Sequence, residues 1–355
     1  MTLHIFNPDH DLALASGLEN FTAPHAGRQL RHDLGWLPVL WAKPDDIVLV
    51  DNEEEAKRAL KRISGKLAVK PQATFAAADS IPHDLAEISP WGWNAALRHQ
   101  LLRWGVNADL LPAKDAMVCM RELSHRRTSA QLLKCLTAKE RTVGTALEIT
   151  TWEDVHNYIS HNGKVVLKAP WSSSGRGVRF VESQLTASMK GWVKNILNSQ
   201  VSVMAEPYYN KVKDFGMEFE ALPDGTIRYI GLSLFHTMNG AYTGNILATE
   251  ERKQEMMSHY LQQPLLEEIR NAICKELSLV FKGKYAGPFG IDMMIVAAED
   301  GFMLHPCVEI NLRRTMGHVA LALTRLVNPR NDSGITRVMR IEYESNQYRI
   351  KLQFT

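Results

Sequence analysis

The chain has no cysteine pair at metal-knuckle spacing: its four cysteines, Cys119, Cys135, Cys274 and Cys307, lie far apart and form no CxxC. That excludes a zinc ribbon, and cysteines so scattered do not make a disulfide framework. No apolar run approaches the roughly 18 residues that span a bilayer. An excess of one charge is also missing, since 41 Lys and Arg stand against 39 Asp and Glu for a net +2. Nucleic-acid and membrane-surface proteins concentrate basic charge, so neither partner is expected. There is no internal repeat, low-complexity stretch or flexible linker, and the units should pack closely. The opening residues, Met1-Thr-Leu-His-Ile-Phe-Asn-Pro-Asp-His-Asp, meet charge too early for a secretory leader, so a cytoplasmic location is expected. What is present is ordinary globular composition, 45% hydrophobic and 23% charged, over 355 residues. That length exceeds one core and points to two or three packed units.

Residues 289–311 are the most informative stretch. Two apolar runs flank Ala298-Glu299-Asp300-Gly301, and Asp-Gly between apolar runs marks a hairpin. A turn centred between residues 300 and 301 sets Asp292 opposite Glu309. Opposed residues share a face, and Asn311 returns to it by the two-residue period of a strand. Two carboxylates and an amide oxygen then converge in an otherwise apolar hairpin of Ile291, Met293, Ile295, Val308 and Ile310. Hard oxygen donors of this kind suit Mg2+, which is held by one or two carboxylates together with substrate phosphates. A surface hairpin with solvated acids is the plainer reading of the same residues.

Residues 1–112 read as a small α/β unit. Residues 3–6 and 47–50 are buried strands ending in turn residues, 53–63 has a helical period, and Asn94 is placed to cap a second helix. From 113 to 200 the expected order is helix, strand, helix, strand, glycine-rich loop and helix. From 201 to 355 strands dominate (201–206, 217–222, 227–235, the hairpin, 337–343 and 347–354), interrupted by one long helix over 263–281.

Lys168 closes a strand and precedes Ser172-Ser173-Ser174-Gly175-Arg176-Gly177. Small residues let a loop approach phosphates with its backbone N–H groups, and a strand-end lysine supplies a point charge. The loop lacks the Gly-Lys-Ser/Thr of a P-loop and runs into a strand, unlike a dinucleotide fingerprint. By itself it is an ordinary turn.

Taken together, Lys168 with 172–178, Val203-Met204-Ala205-Glu206-Pro207, Gly216-Met217-Glu218-Phe219, Asp292, and Glu309-Ile310-Asn311-Leu312-Arg313 follow in the order of the ATP-grasp superfamily. The chain resembles that family over about residues 113–320. The resemblance implies an α/β fold in three parts: an N-terminal Rossmann-like domain over 1–112, a small lid subdomain over 113–200, and a C-terminal sheet subdomain over 201–355, with ATP between the last two. It implies that Lys168 contacts the α/β-phosphates under a lid containing Ser172, Ser173, Ser174, Gly175 and Gly177. Arg126 or Arg127 stands where the family usually has an earlier lysine. Met204 and Glu206 belong to the adenine hinge, and Glu218 or Asp214 binds ribose. Asp292, Glu309 and Asn311 resemble the metal ligands for Mg2+, with Mn2+ admissible, and Arg313 fits a position that grips a phosphoryl or carboxylate group.

The activity so implied is ATP-dependent ligation of a carboxylate to an amine through an acylphosphate, with Lys168 and Arg313 as the catalytic charges. A kinase acting on a hydroxyl and a nucleotide-binding scaffold without turnover are the alternatives, and a homodimer is compatible with either. For the acceptor, the polar segment 235–245 is a candidate through His236 and Asn245. The turn Asn7-Pro8-Asp9-His10-Asp11 is another, through Asp9, beside Arg313. The His and Trp residues of these segments are equally read as packing or capping.

Overall fold

A computed structural model describes all residues except 173–176, 239, 240, 329, 331, 333, 335 and 355. The first apolar run becomes β1 (Thr2–Ile5), which is joined by β2 (Ile47–Leu49), β3 (Thr74–Ala76) and β4 (Glu87–Pro90). All pair parallel in the order β3-β2-β1-β4. This is the Rossmann-like arrangement expected at the N-terminus. The chain order reverses between β1 and β4, and in such sheets the crevice beyond the carboxyl ends of the strands at that point receives ligands. Phe6, Asn7 and Asp9 leave β1 there, and Trp91 leaves β4. Neither β3 nor β4 was legible as a strand, because Thr74–Ala76 and Glu87–Pro90 lack the apolar runs seen at residues 3–6 and 47–50. Asn94 does cap its helix, accepting from the Leu97 N–H at 2.9 Å.

The next sheet is antiparallel, with β5 (Leu147–Ile149), β6 (Val165–Lys168), β7 (Val178–Val181) and β8 (Val203–Pro207) in the order β5-β8-β6-β7. It packs on the helices Trp152–Asn162 and Ala187–Gln200 through Val155, Ile159, Val193 and Ile196. Strand β8 therefore lies at the centre of the sheet that carries Lys168, although it follows the expected boundary at residue 200.

The remaining strands are β9 (Lys211–Ala221), β10 (Ile227–Ser233), β11 (Phe235–Met238), β12 (Ala241–Leu247), β13 (Gly287–Ala298), β14 (Gly301–Asn311), β15 (Arg337–Glu344) and β16 (Gln347–Phe354). They form two antiparallel sheets, β10-β9-β13-β14 and β11-β12-β15-β16. The first is backed by the helices Arg126–Leu136 and Gln263–Phe281 over a core of Phe215, Phe219, Phe281 and Phe289. The second packs on the N-terminal unit, where Leu34, Leu37, Val48, Met339 and Leu352 share one core. Asp33 adds a cross-link by accepting the Tyr348 N–H at 2.8 Å. This welding holds the β1/β4 crevice against the β13–β14 hairpin.

Candidate active site

The hairpin brings Asp292 opposite Glu309, but by a different route from the expected turn. The closing pair is Ala298 with Gly301, so the centre lies between residues 299 and 300, one position early. Continued without a break, that register would set Asp292 against Cys307. Between Asp292 and Met294 the ladder shifts, two extra residues of β14 are taken up, and Glu309 becomes the partner. Pro306 gives the physical cause, because it has no N–H for the ladder and strands tolerate it at an edge or a bulge. The shift is by two, so the acids keep a common face.

Asn311 donates its Nδ2–H to Asp292 Oδ2 at 3.1 Å. Glu309 Oε1 accepts from Arg126 Nη2 at 2.7 Å, and Arg126 Nη1 donates to Ser172 Oγ at 2.9 Å and to the Ala169 carbonyl. Arg126 thus ties the start of the 172–177 loop to the hairpin acids. Arg127, one residue on, points elsewhere and pairs with Glu148 at 2.8 Å. Burial, followed by repulsion from Glu309 and then Glu218, pushes the Asp292 pKa up to about 7.

Arg313 meets the N-terminal unit. Its Nε and Nη2 donate to Asp11 Oδ1 at 2.9 Å and Oδ2 at 2.7 Å, and Nη2 also reaches Asn311 Oδ1 at 3.0 Å. Burial opposes both charges, but the pairing prevails: Asp11 is held below its ordinary pKa and Arg313 above its own. The guanidinium therefore grips a carboxylate bidentately, as its position implied, but the carboxylate is the chain's own.

Lys168 and Glu206 form a second polar centre. The Lys168 Nζ lies 2.7 Å from both Glu206 carboxylate oxygens, and the two residues are only 7% and 6% exposed. Met204 pairs with Lys168 in the ladder and is buried in the sheet. Nearby, His305 is fully buried and its ring nitrogens lack partners; burial, and then Lys168, push its pKa down to about 3.

A cleft of about 410 Å3 opens beside the acids. Asp9, Asp11, Ser172, Glu218, Asn245, Asp292, Glu309, Asn311 and Arg313 all reach it. Glu218 is buried under the first turn of the helix Met316–Val327, and a Cβ on Gly317 would lie 1.9 Å from its Oε1, so that close approach requires glycine. Asp214, the other acid considered for ribose, is outside the cleft and engaged with Lys211 and Thr237. Gly177 also needs to be glycine, because a Cβ there would fall 2.2 Å from Ser172. Ser173, Ser174 and Gly175 lie outside the described residues.

The two candidate acceptor residues of the 235–245 segment lie differently. His236 is exposed and does not line the cleft; its strand neighbours Phe235 and Thr237 do, and strand alternation puts His236 on the other face. Asn245 does reach the cleft wall but is 0% exposed, and its amide is consumed: Nδ2 donates to Ser233 Oγ at 3.0 Å and Oδ1 accepts from the Tyr242 hydroxyl. It braces the wall and leaves Tyr242 and Thr237 nearer the opening. Asp11 and Trp91 were legible only as parts of turns, and their place at the β1/β4 reversal emerges only once β4 pairs with β1.

No protein-family model and no curated protein matches the chain. Solved structures share its fold at low identity. Phosphoribosylamine–glycine ligase from Thermotoga maritima is 13% identical with a TM-score of 0.56, covering 96% of this chain and 80% of that one. Biotin carboxylase from Campylobacter jejuni, solved as a β,γ-ATP complex, is 12% identical with a TM-score of 0.52, covering 98% and 77%. N5-carboxyaminoimidazole synthetase from Staphylococcus aureus, complexed with ADP, is 12% identical with a TM-score of 0.50, covering 97% and 83%. Among the described residues no helix is long and apolar enough to cross a membrane.

Proposed function

The chain has the ATP-grasp fold, and from that premise we propose that it is an ATP- and Mg2+-dependent ligase joining a carboxylate to an amine. The observation that carries the reading is the convergence of Asp292, Glu309 and Asn311 with Arg126 and Arg313 where Ser172, the hairpin and the N-terminal unit meet. Among the described residues no group of three or more His, Cys, Asp or Glu side chains forms a metal cage. That agrees with Mg2+, for which one or two carboxylates suffice when nucleotide phosphates complete the shell.

The donor set fits such an ion. Burial first, and then repulsion from Glu309, raise the Asp292 pKa to about 7, and a bound cation would offset both. Asp292 and Glu309 would hold the metal, which supplies charge neutralisation at the phosphates. The Asn311 oxygen is engaged by Arg313, so Asn311 orients its neighbours unless that contact opens.

In the reaction, a carboxylate oxygen of the substrate bonds to the γ-phosphorus as the bond to the β–γ bridging oxygen breaks and ADP leaves. The amine nitrogen then bonds to the carbonyl carbon, phosphate departs with the bonding electron pair, and the amine proton passes to solvent. Lys168 and Arg126 hold phosphate oxygens, and Arg313 orients the carboxylate. No protein nucleophile is involved, so positioning and charge stabilisation carry the rate. Asp9 supplies a carboxylate on the far wall suited to attract an amine, while the charge of Asp11 is balanced by Arg313.

MgATP should raise the melting temperature by linkage, on the order of 2.7 kcal/mol at a hundredfold excess over Kd. ADP release should then require both a carboxylic acid and an amine. An absent thermal shift at millimolar MgATP would remove the nucleotide site, whereas release driven by a hydroxyl compound alone would favour a kinase.

Asp11→Asn tests the Arg313 clamp. Asparagine keeps the shape but loses the charge, so Arg313 is freed towards substrate. The carboxylate KM should change severalfold, in either direction, with the MgADP-induced thermal shift intact. Unaltered kinetics would make the pair a purely structural tie.

A further inference from the structure

We propose that the carboxylate substrate carries a bulky apolar tail and no phosphate. The inference rests on the ligase reading above and deepens it. Away from Asp292 and Arg313, the same cleft is walled by Phe6, Leu30, Leu34, Trp91, Ile341 and Tyr348. These side chains come from the N-terminal unit and from β15 and β16, so the pouch exists only because those elements are packed together. Phe6 and Trp91 meet edge to face at 4.9 Å, which leaves the corner of the β1/β4 crevice rigid and aromatic.

The charges along the cleft point the same way. Among the described lining residues Arg313 is the only basic side chain, and Asp11 and Asn311 engage its Nε and Nη2. The other ionisable groups of the wall are the acids Asp9, Asp11, Glu218, Asp292 and Glu309 and the phenols of Tyr242 and Tyr348. With Arg313 taken by the substrate carboxylate, a phosphate on the tail would find no second basic side chain among the described lining residues and would face like charge, whereas an aromatic or branched aliphatic group fits the pouch. A volume of about 410 Å3 is that of a small-molecule site of about 300–1,000 Å3. The carboxylate end then lies at Arg313 and the metal-binding acids, and the tail lies between Trp91 and Ile341.

The test uses the full chain and compares 3-phenylpropionate, 4-methylpentanoate, acetate and O-phosphoserine by tryptophan fluorescence, with Trp91→Phe assigning the signal. The two apolar acids should bind at least roughly tenfold more tightly than acetate, the discrimination an apolar pocket typically supplies. O-phosphoserine should bind more weakly than either. Ile341→Glu should remove the preference, with circular dichroism and melting temperature checking that the variant folds. Leu30→Glu provides the same test from the opposite wall. Equal binding of all four probes, preference for O-phosphoserine, or no response to either apolar acid would overturn the proposal. Because the readout needs no ATP, it fails separately from the nucleotide site, which the MgATP thermal shift reports.

Discussion

Glu309→Gln is expected to give a folded chain that no longer turns over ATP. Glutamine has the volume of glutamate and keeps an oxygen to accept from Arg126, so the 2.7 Å contact can survive as a hydrogen bond from the charged guanidinium to a neutral amide. What is lost is one of the two charges that hold the metal and, through it, the phosphates. Removing one preorganised electrostatic group from an active site lowers kcat by about 100- to 1,000-fold, and a fall of that size is expected in MgATP-dependent ADP release. Stability should change much less. Neutralising Glu309 relieves its repulsion of the buried Asp292 but removes the counter-charge of the buried Arg126, so the two effects oppose and the melting temperature should move little. Turnover within threefold of wild type, or an unfolded variant, would show that Glu309 serves the fold and not the chemistry.

Lys168→Met should have a double effect that the sequence reading did not foresee. From the strand-end position, loss of a phosphate contact alone was expected. Among the described residues Lys168 is instead the one charged partner within bonding distance of the buried Glu206 carboxylate. Truncating one member of a buried ion pair leaves the other uncompensated and costs about 3–5 kcal/mol. The single variant should therefore melt well below wild type and also bind nucleotide weakly. The second change separates the two effects: in Lys168→Met/Glu206→Leu the stranded carboxylate is gone, and apolar replacement of a buried pair is often neutral. The double variant should recover most of the melting temperature and none of the MgATP-induced shift. Recovery of both would make Lys168 only a structural counter-ion.

Much of the candidate site follows from local pattern. Alternation along a strand puts Glu309 and Asn311 on one face, and the same alternation would have rejected His236 in favour of Phe235 and Thr237. The Pro306 bulge was legible too, since proline cannot sit unremarked in a ladder, and it accounts for the register shift between Asp292 and Met294. Strands β3 and β4 were not legible because neither carries an apolar run like those of the equally short β1 and β2. Helix geometry could not choose between Arg126 and Arg127, because adjacent helical residues point about 100° apart and only packing decides which direction is the site.

By itself, then, the sequence determined a motif order that resembles the ATP-grasp superfamily, the α/β character of the N-terminal unit, and the common face of Glu309 and Asn311. These are properties of neighbouring residues and of strand and helix periods. The tertiary structure alone decided that Arg126 reaches Glu309, that Lys168 is bound to Glu206, that Arg313 is clamped by Asp11 across 302 residues, and that an apolar pouch closes between Trp91 and Ile341. Such contacts are made by burial of distant faces against one another, and burial depends on which units pack together, a relation with no local period or spacing to announce it.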